Sequence, residues 1–141
     1  MSDVRRFEDN GDGTILDNES GLVWAKEDSW PIAQDWLDFQ AALQFVDDSN
    51  KKDLLGFHDW RFPEKEEIEK LFMPESTIMG RSNQEIHLDP LFATGGGNGS
   101  WCLPFDQQAA FYFSYATGML QHYDQDYSQG YIRLVRLYQN D

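Results

Sequence analysis

The chain has 141 residues, a formal net charge of −14 and a pI near 4.3, and its length is that of one ordinary domain. The negative charge opposes nucleic acid, anionic lipid and sulphated polysaccharide as partners, because no cluster of lysines and arginines offers a local exception. Cys102 is the single cysteine, which excludes an internal disulfide and a cysteine-based metal site.

The apolar stretches of the chain are short. None approaches the ~18 residues that a membrane-spanning helix needs, and the start MSDVRRFEDN has no hydrophobic segment behind its two arginines. We therefore expect no membrane insertion. The chain as written predicts a cytoplasmic protein, or an extracellular or cell-surface one if a leader has been removed.

Turn signals divide the N-terminal block into short apolar groups. Asn-Gly, Asp-Gly and Ser-Gly pairs separate them, and each pair is typical of a tight turn between strands. The block therefore predicts three short strands, near 4–8, 14–17 and 22–26.

Two helices are predicted after these strands. Trp36, Phe39, Leu43 and Val46 recur at spacings of three and four, which predicts an amphipathic helix over roughly 34–48. A second helix is predicted from Pro63 at its first position, and it ends before Pro74. Its buried face is formed by Ile68, Leu71 and Phe72.

The rest of the chain predicts an irregular middle and an antiparallel end. Glycines at 95–97 and 99 predict a flexible loop, since the context of a phosphate-binding loop is missing. The last third is rich in aromatic and β-branched residues, and its strands are expected near 100–104, 109–115, 118–122 and 131–137. The chain as a whole predicts a single α+β domain over residues 1–141.

Several blocks together resemble the Lcl C-terminal domain family, a bacterial family largely of unknown function. The resemblance rests on RFEDNGDGTILDNESGLVWAK at 6–26, GFHDWRFPEKEEIEKL at 56–71, HLDPLF at 87–92, Trp101, and YIRLVR at 131–136. It implies a C-type-lectin-like fold, with two helices packed on a small twisted antiparallel sheet and long irregular loops. It also implies a ligand-binding or adhesive module rather than an enzyme.

This chain departs from the family pattern at two places. It has Trp101-Cys102-Leu103 where members tend to have Trp-Ser-Ser, and Leu134-Val135 where they tend to have a cysteine between the last arginines. A cystine at that place is therefore out of reach. The polysaccharide binding of the adhesin that gives the family its name does not transfer easily to a surface of charge −14.

The stretch EDNGDGTILDNE has the spacing of an EF-hand calcium loop. Glu8, Asn10, Asp12 and Glu19 would take the ligand positions, and Gly13 the sharp turn. The alternative is a β-hairpin in which the two glycines supply positive φ, and we favour it because no helix can enter the loop. Calcium is thus the one cofactor left open.

The HDWR segment offers an acid–base pair or a structural element. Adjacent His58 and Asp59 would point opposite ways on an extended chain, so they share a proton poorly. Asp59 and Arg61, two residues apart on one face, instead predict a buried hydrogen-bonded strut beside Trp60.

The segment FYFSYATGMLQHYDQDYSQGY is the best candidate for a ligand site. Rigid tyrosine rings next to small polar side chains make good recognition surfaces. Along the strand, alternation predicts that Phe111, Phe113 and Tyr115 point to the core while Tyr112 and Ser114 face away. The predicted ligand-binding residues are Trp101, Tyr112, Gln121, His122, Tyr123, Asp124, Asp126 and Tyr127.

The function expected from these features is non-catalytic recognition of a protein or glycan through the loop face of 94–101 and 121–129. The alternative is an oligomerising structural or display domain with a variable C-terminal face, so a homo-oligomer is a second expected kind of partner. An enzyme is not expected, because the sequence places no nucleophile beside a base.

Overall fold

The computed structural model describes residues 5–138, and it begins with a meander of three strands. These are β1 (Phe7–Asp9), β2 (Thr14–Asp17) and β3 (Leu22–Ala25), each antiparallel to the next. Gly11 and Gly13 have φ of 80° and 92° in the first turn, which favours glycine over other residues. The predicted hairpin is thus confirmed, although its first strand begins at Phe7 and residue 4 lies outside the described residues.

Three α-helical segments follow, where two longer helices were expected. They are α1 (Trp30–Ala33), α2 (Phe39–Lys51) and α3 (Lys65–Glu69). The helix predicted over 34–48 begins instead after Asp38, whose side chain accepts a hydrogen bond from Ala41 N and so caps the first turn. Trp36 consequently lies outside the helix and is exposed, not part of the buried stripe.

The second predicted helix is also shorter than expected. Pro63 precedes it, and Glu64 is the N-cap of a capping box with Glu67, so the first helical residue is Lys65. The helix ends at Glu69, well before Pro74. Two of the three residues assigned to its buried face, Ile68 and Leu71, are fully buried, whereas Phe72 is half-buried.

The next five strands form two further antiparallel sheets. A small sheet pairs β4 (Ile78–Met79) with β5 (Glu85–Ile86), and a larger one has the order β6 (Gly99–Phe105), β7 (Ala109–Ser114) and β8 (Leu120–Asp124). The chain is therefore α+β with several antiparallel sheets. A single small sheet was expected, and that detail is wrong.

The last strand, β9 (Val135–Leu137), joins the N-terminal sheet and gives it the order β1-β2-β3-β9. The strand predicted over 131–137 is therefore too long. Residues 131–134 are buried, but their backbone bonds go to scattered partners: Ile132 N to Ser29 Oγ and Arg133 N to Ser100 Oγ, for example. A regular ladder cannot form where each residue has a different neighbour.

Two hydrophobic clusters fill the interior, and β7 contributes to both. Phe113 and Tyr115 lie in the cluster that also contains Trp24. Tyr112, from the opposite face of the strand, packs in the cluster of Phe39 and Trp101. The predicted alternation is correct, but the face expected to point away from the core carries Tyr112 into a second core.

The HDWR segment does not form the predicted strut. Arg61 pairs with Glu67 at 2.9 Å, and Asp59 pairs with Arg136 at 2.6 Å. Arg61 meets a partner six residues further along the chain, whereas Arg136 reaches Asp59 across 77 residues, a partner that local spacing does not reveal. Within the described part of the chain, none of the helices is long and apolar enough to cross a membrane.

Candidate functional site

The predicted ligand residues divide into a buried group and an exposed group. Trp101 and Tyr112 have exposed fractions of 0% and 3%, so they belong to the core and present no contact surface to a ligand. Tyr123 and Tyr127 are half-buried against them, with the Tyr112 and Tyr123 rings stacked at 5.4 Å. The exposed members are Gln121, His122, Asp124 and Asp126.

Burial changes the chemistry of these tyrosines. It raises the pKa of Tyr112 well above its ordinary value, and it also raises the pKa of Tyr127, so both phenols stay neutral at physiological pH. The Tyr112 hydroxyl donates to Asn98 Oδ1 at 3.1 Å. Tyr112 therefore serves to orient Asn98 and lies beneath the surface.

A cleft of about 440 Å³ opens beside Tyr127, and we call it the aromatic cleft. It is lined by Asn98 of the predicted loop 94–101 and by Tyr127 and Gln129 of the predicted loop 121–129, so the structure brings the two loops together. Its other lining residues are Trp36, Arg81, Ser82, Gln84 and Tyr131. These five were missed by sequence reasoning.

Trp36 is the exposed wall of the aromatic cleft. It is 44% exposed, yet its indole Nε1 donates to Tyr131 Oη at 3.0 Å, which fixes the ring. The backbone beside it is held by Leu37, whose N–H donates to Gly130 O and whose carbonyl accepts from Trp101 Nε1. The buried Trp101 thus positions the exposed Trp36.

One sequence signal could have separated Trp36 from the helix. Asp38 lies directly before Phe39, the second residue of the apolar periodicity, and aspartate is favoured as an N-cap. A helix beginning after this cap would have left Trp36 outside. Nothing local could have placed it against Tyr131, which is 95 residues away.

The glycine run forms the packed floor between these elements. Gly97 N donates to Asp28 Oδ2 at 2.6 Å, Gly96 O accepts from Arg81 N at 2.7 Å, and both glycines are buried. A Cβ on Gly97 would overlap the ring of Tyr131. The expectation of a flexible loop is therefore wrong, because these glycines allow a close approach of backbone and ring.

Arg81 stands at the other wall of the cleft. Its guanidinium carbon lies 3.4 Å from the centroid of a Trp30 ring, a stacking contact that holds the side chain in place. The turn that carries it continues with Ser82 and Asn83 at φ of 57° and 60°, uncommon values outside glycine. Such positions persist only where surrounding contacts hold them.

The four predicted calcium ligands are not gathered at one point. Asn10 and Asp12 lie in the turn, Glu8 lies on β1 opposite Leu16, and Glu19 lies beyond the other end of the hairpin, near Arg6. The Asp12 carboxylate accepts hydrogen bonds from Thr14 N and Thr14 Oγ1. Among residues 5–138, no three His, Cys, Asp or Glu side chains are grouped to hold a metal ion.

A second, polar concavity of about 540 Å³ lies next to this turn, and we call it the hairpin groove. Its lining includes Asn10, Asp12, Phe57, Asp59 and Arg136. The Arg136 guanidinium lies 3.9 Å from the Phe57 ring centroid and bonds both carboxylate oxygens of Asp59, which lowers the pKa of Asp59. The charged groups at the centre of the groove thus satisfy each other.

The remaining nucleophilic and basic side chains are dispersed. Cys102 is fully buried, and burial raises the pKa of its thiol to about 12. His58 and His122 are exposed, and their nearest carboxylates belong to Asp53 at 3.3 Å and Asp106 at 3.9 Å. His122 lies on β8 opposite Phe111, and Phe111 lies opposite Cys102 on β6, so Phe111 stands between the imidazole and the thiol.

Comparison with known proteins agrees with the sequence resemblance. The model of one family, the Lcl C-terminal domain, matches residues 13–136, a span that includes β2 and β3 of the meander, the three helical segments and most of β9. No curated protein and no solved structure matches the chain. On the extent of this match, the chain belongs to the Lcl C-terminal domain family.

Proposed function

We propose that this domain is a non-catalytic binding module that recognises a glycan in the aromatic cleft. The observation that carries the proposal is Trp36, an exposed indole ring held rigid by its hydrogen bond to Tyr131. A fixed aromatic ring offers contact area to the apolar face of a sugar at low cost in conformational entropy.

The polar lining supports a polyhydroxylated ligand. Gln84, Asn98 and Gln129 present amide groups, each of which can both donate and accept hydrogen bonds, as sugar hydroxyls require. Tyr127 supplies a second ring at the edge of the cleft. This mixture of aromatic surface and a few converging polar groups is typical of small-ligand sites.

The proposal of a non-catalytic role is supported by the state of the single cysteine. The Cys102 thiol stays protonated at neutral pH because its pKa is about 12, and it lies in the core away from the cleft.

We further propose a C-type-lectin-like fold. It is supported by the helices α2 and α3 beside antiparallel sheet and by the long irregular segment between α3 and β6.

The test is capture on an array of immobilised oligosaccharides, with and without a chelator of calcium. The wild-type domain should bind a subset of glycans, and Trp36→Ala should lose that binding with an unchanged melting temperature. Tyr138→Ala is the matched control, because Tyr138 is 49% exposed but lines the hairpin groove. If Tyr138→Ala loses binding while Trp36→Ala keeps it, the aromatic cleft is not the site.

A second candidate function, assembly of several copies, is favoured by one observation. Ile32 and Leu55 are 45% and 38% exposed, and both line an apolar cavity of about 280 Å³ together with Phe45 and Leu54. Sedimentation at micromolar concentration tests it. A monomer would rule out constitutive assembly, whereas an oligomer that Ile32→Glu dissociates would support it.

A further inference from the structure

The arginines of this acidic chain differ in what their guanidinium groups contact. Arg6, Arg61 and Arg136 form salt bridges with Asp17, Glu67 and Asp59 respectively.

Arg81 is different from these three. Its guanidinium stacks on Trp30, but among residues 5–138 it forms no salt bridge and no side-chain hydrogen bond. Stacking uses the face of the guanidinium plane and leaves the N–H groups at its edge, which are arranged as a fork that fits a carboxylate.

The surroundings of Arg81 are unusual for this protein. The sequence has 25 aspartates and glutamates, yet none of them is among the described residues that line the aromatic cleft. Arg81 is the cation in that lining, and the other polar members are neutral amides and a hydroxyl. Among the described residues, the lining of the cleft therefore carries a positive charge, although the net charge of the chain is −14.

The net charge of −14 limits how much negative charge a ligand can carry. Exposed charges farther apart than about 8 Å are largely screened at physiological ionic strength, so carboxylates beyond that distance oppose a single bound anion only weakly. A polyanion would extend beyond the cleft and meet the acidic surface at close range. A glycan with one carboxylate, on its terminal sugar, can pair with Arg81 and places no further negative charge against the acidic surface.

On the basis of the function proposed above, we propose that Arg81 makes the aromatic cleft selective for a glycan that ends in a sugar acid of the uronic class. The carboxylate binds the N–H fork of Arg81, and the sugar ring packs on Trp36. The amides of Gln84 and Asn98 bond the remaining hydroxyls. Trp30 acts as a positioning residue, since it holds the guanidinium without facing the ligand.

The experiment uses pairs of oligosaccharides that differ only at the terminal residue, glucuronate or glucose, presented on one array and then measured by calorimetry. The wild-type domain should prefer the glucuronate member by at least about tenfold, since a hydrogen bond to a charged group is worth about 1.5–3 kcal/mol and about 1.4 kcal/mol is tenfold. Arg81→Gln should abolish that preference. Raised salt should reduce it.

Lys52→Gln is the matched control, because it removes the same charge from an exposed residue outside the cleft and should keep the preference. Equal binding of both members by the wild-type domain would overturn this inference while the proposed function stands. Capture of neither member of any pair would overturn both. A preference that Lys52→Gln also abolishes would show an effect of net charge and would remove the role of Arg81.

Discussion

Arg136 in the hairpin groove and Arg81 in the aromatic cleft both stack on an aromatic ring, at 3.9 Å from Phe57 and 3.4 Å from Trp30. In the groove, the edge of the guanidinium meets the Asp59 carboxylate, supplied by the chain itself. In the cleft, the chain supplies no carboxylate among the described lining residues. The same stacked arginine is therefore paired with a carboxylate in one place and left without one in the other.

The surroundings reinforce this difference. The Arg136 side chain is only 8% exposed, so its pairing with Asp59 satisfies a charge that water reaches poorly. The cleft instead exposes Trp36 and three amides around its arginine. The paired groove contributes to stability, whereas the guanidinium of the cleft has no carboxylate partner among the described residues.

The largest expected effect comes from removing each arginine in turn. Arg136→Gln should lower the free energy of unfolding by about 2 kcal/mol, because it deletes hydrogen bonds to a charged partner and leaves Asp59 unpaired. Arg81→Gln should lower it by no more than about 1 kcal/mol, because it removes only the stacking contact with Trp30. Urea unfolding measures the free energy of unfolding of both variants. Equal losses would contradict the distinction between a structural Arg136 and an unpaired Arg81.

A smaller effect is expected from the pH dependence of the groove. The hydrogen bond from Arg136 lowers the pKa of Asp59, so the unfolded state binds this proton more readily than the folded state. The pair's contribution is present above pH ~4 and is lost as pH falls through the lowered pKa. Because the Asp59 side chain is 40% exposed, solvent screening limits the contribution to about 1 kcal/mol.

Asp59→Asn isolates this effect. The variant should lose stability at neutral pH and show a shallower decline than wild type as the solution is acidified below pH ~4. Denaturant unfolding at a series of pH values gives the two curves. Parallel curves would mean that the Asp59–Arg136 pair does not couple to folding.

The smallest effect is expected for calcium and the hairpin turn. The Asp12 carboxylate is already used by Thr14, and Glu19 lies at the far end of the hairpin, so the turn offers no clustered set of ligands. Millimolar calcium should therefore leave the melting temperature unmoved, since only a ligand that binds the folded state raises it. A rise that chelation reverses would restore the calcium loop.

Elements governed by neighbours in the chain were predictable. The Asn10-Gly11 and Asp12-Gly13 pairs predicted the first turn because positive φ favours glycine. The alternation along β7 predicted that Tyr112 and Phe113 point to opposite faces. The start of helix α2 was misjudged because Trp36, which precedes the cap at Asp38, fits the same apolar periodicity as the helix. Periodicity alone does not mark where a helix begins.

The sequence by itself determined the family, the α+β class, the hairpin meander and the loops from which a site could be built. Only the tertiary structure decided which side chains line the aromatic cleft. Trp36 meets Tyr131, and Arg81 lies on Trp30, through contacts across 95 and 51 residues of chain. Local propensity acts over a few residues, whereas the burial of Trp101 and the exposure of Trp36 depend on how distant segments pack together.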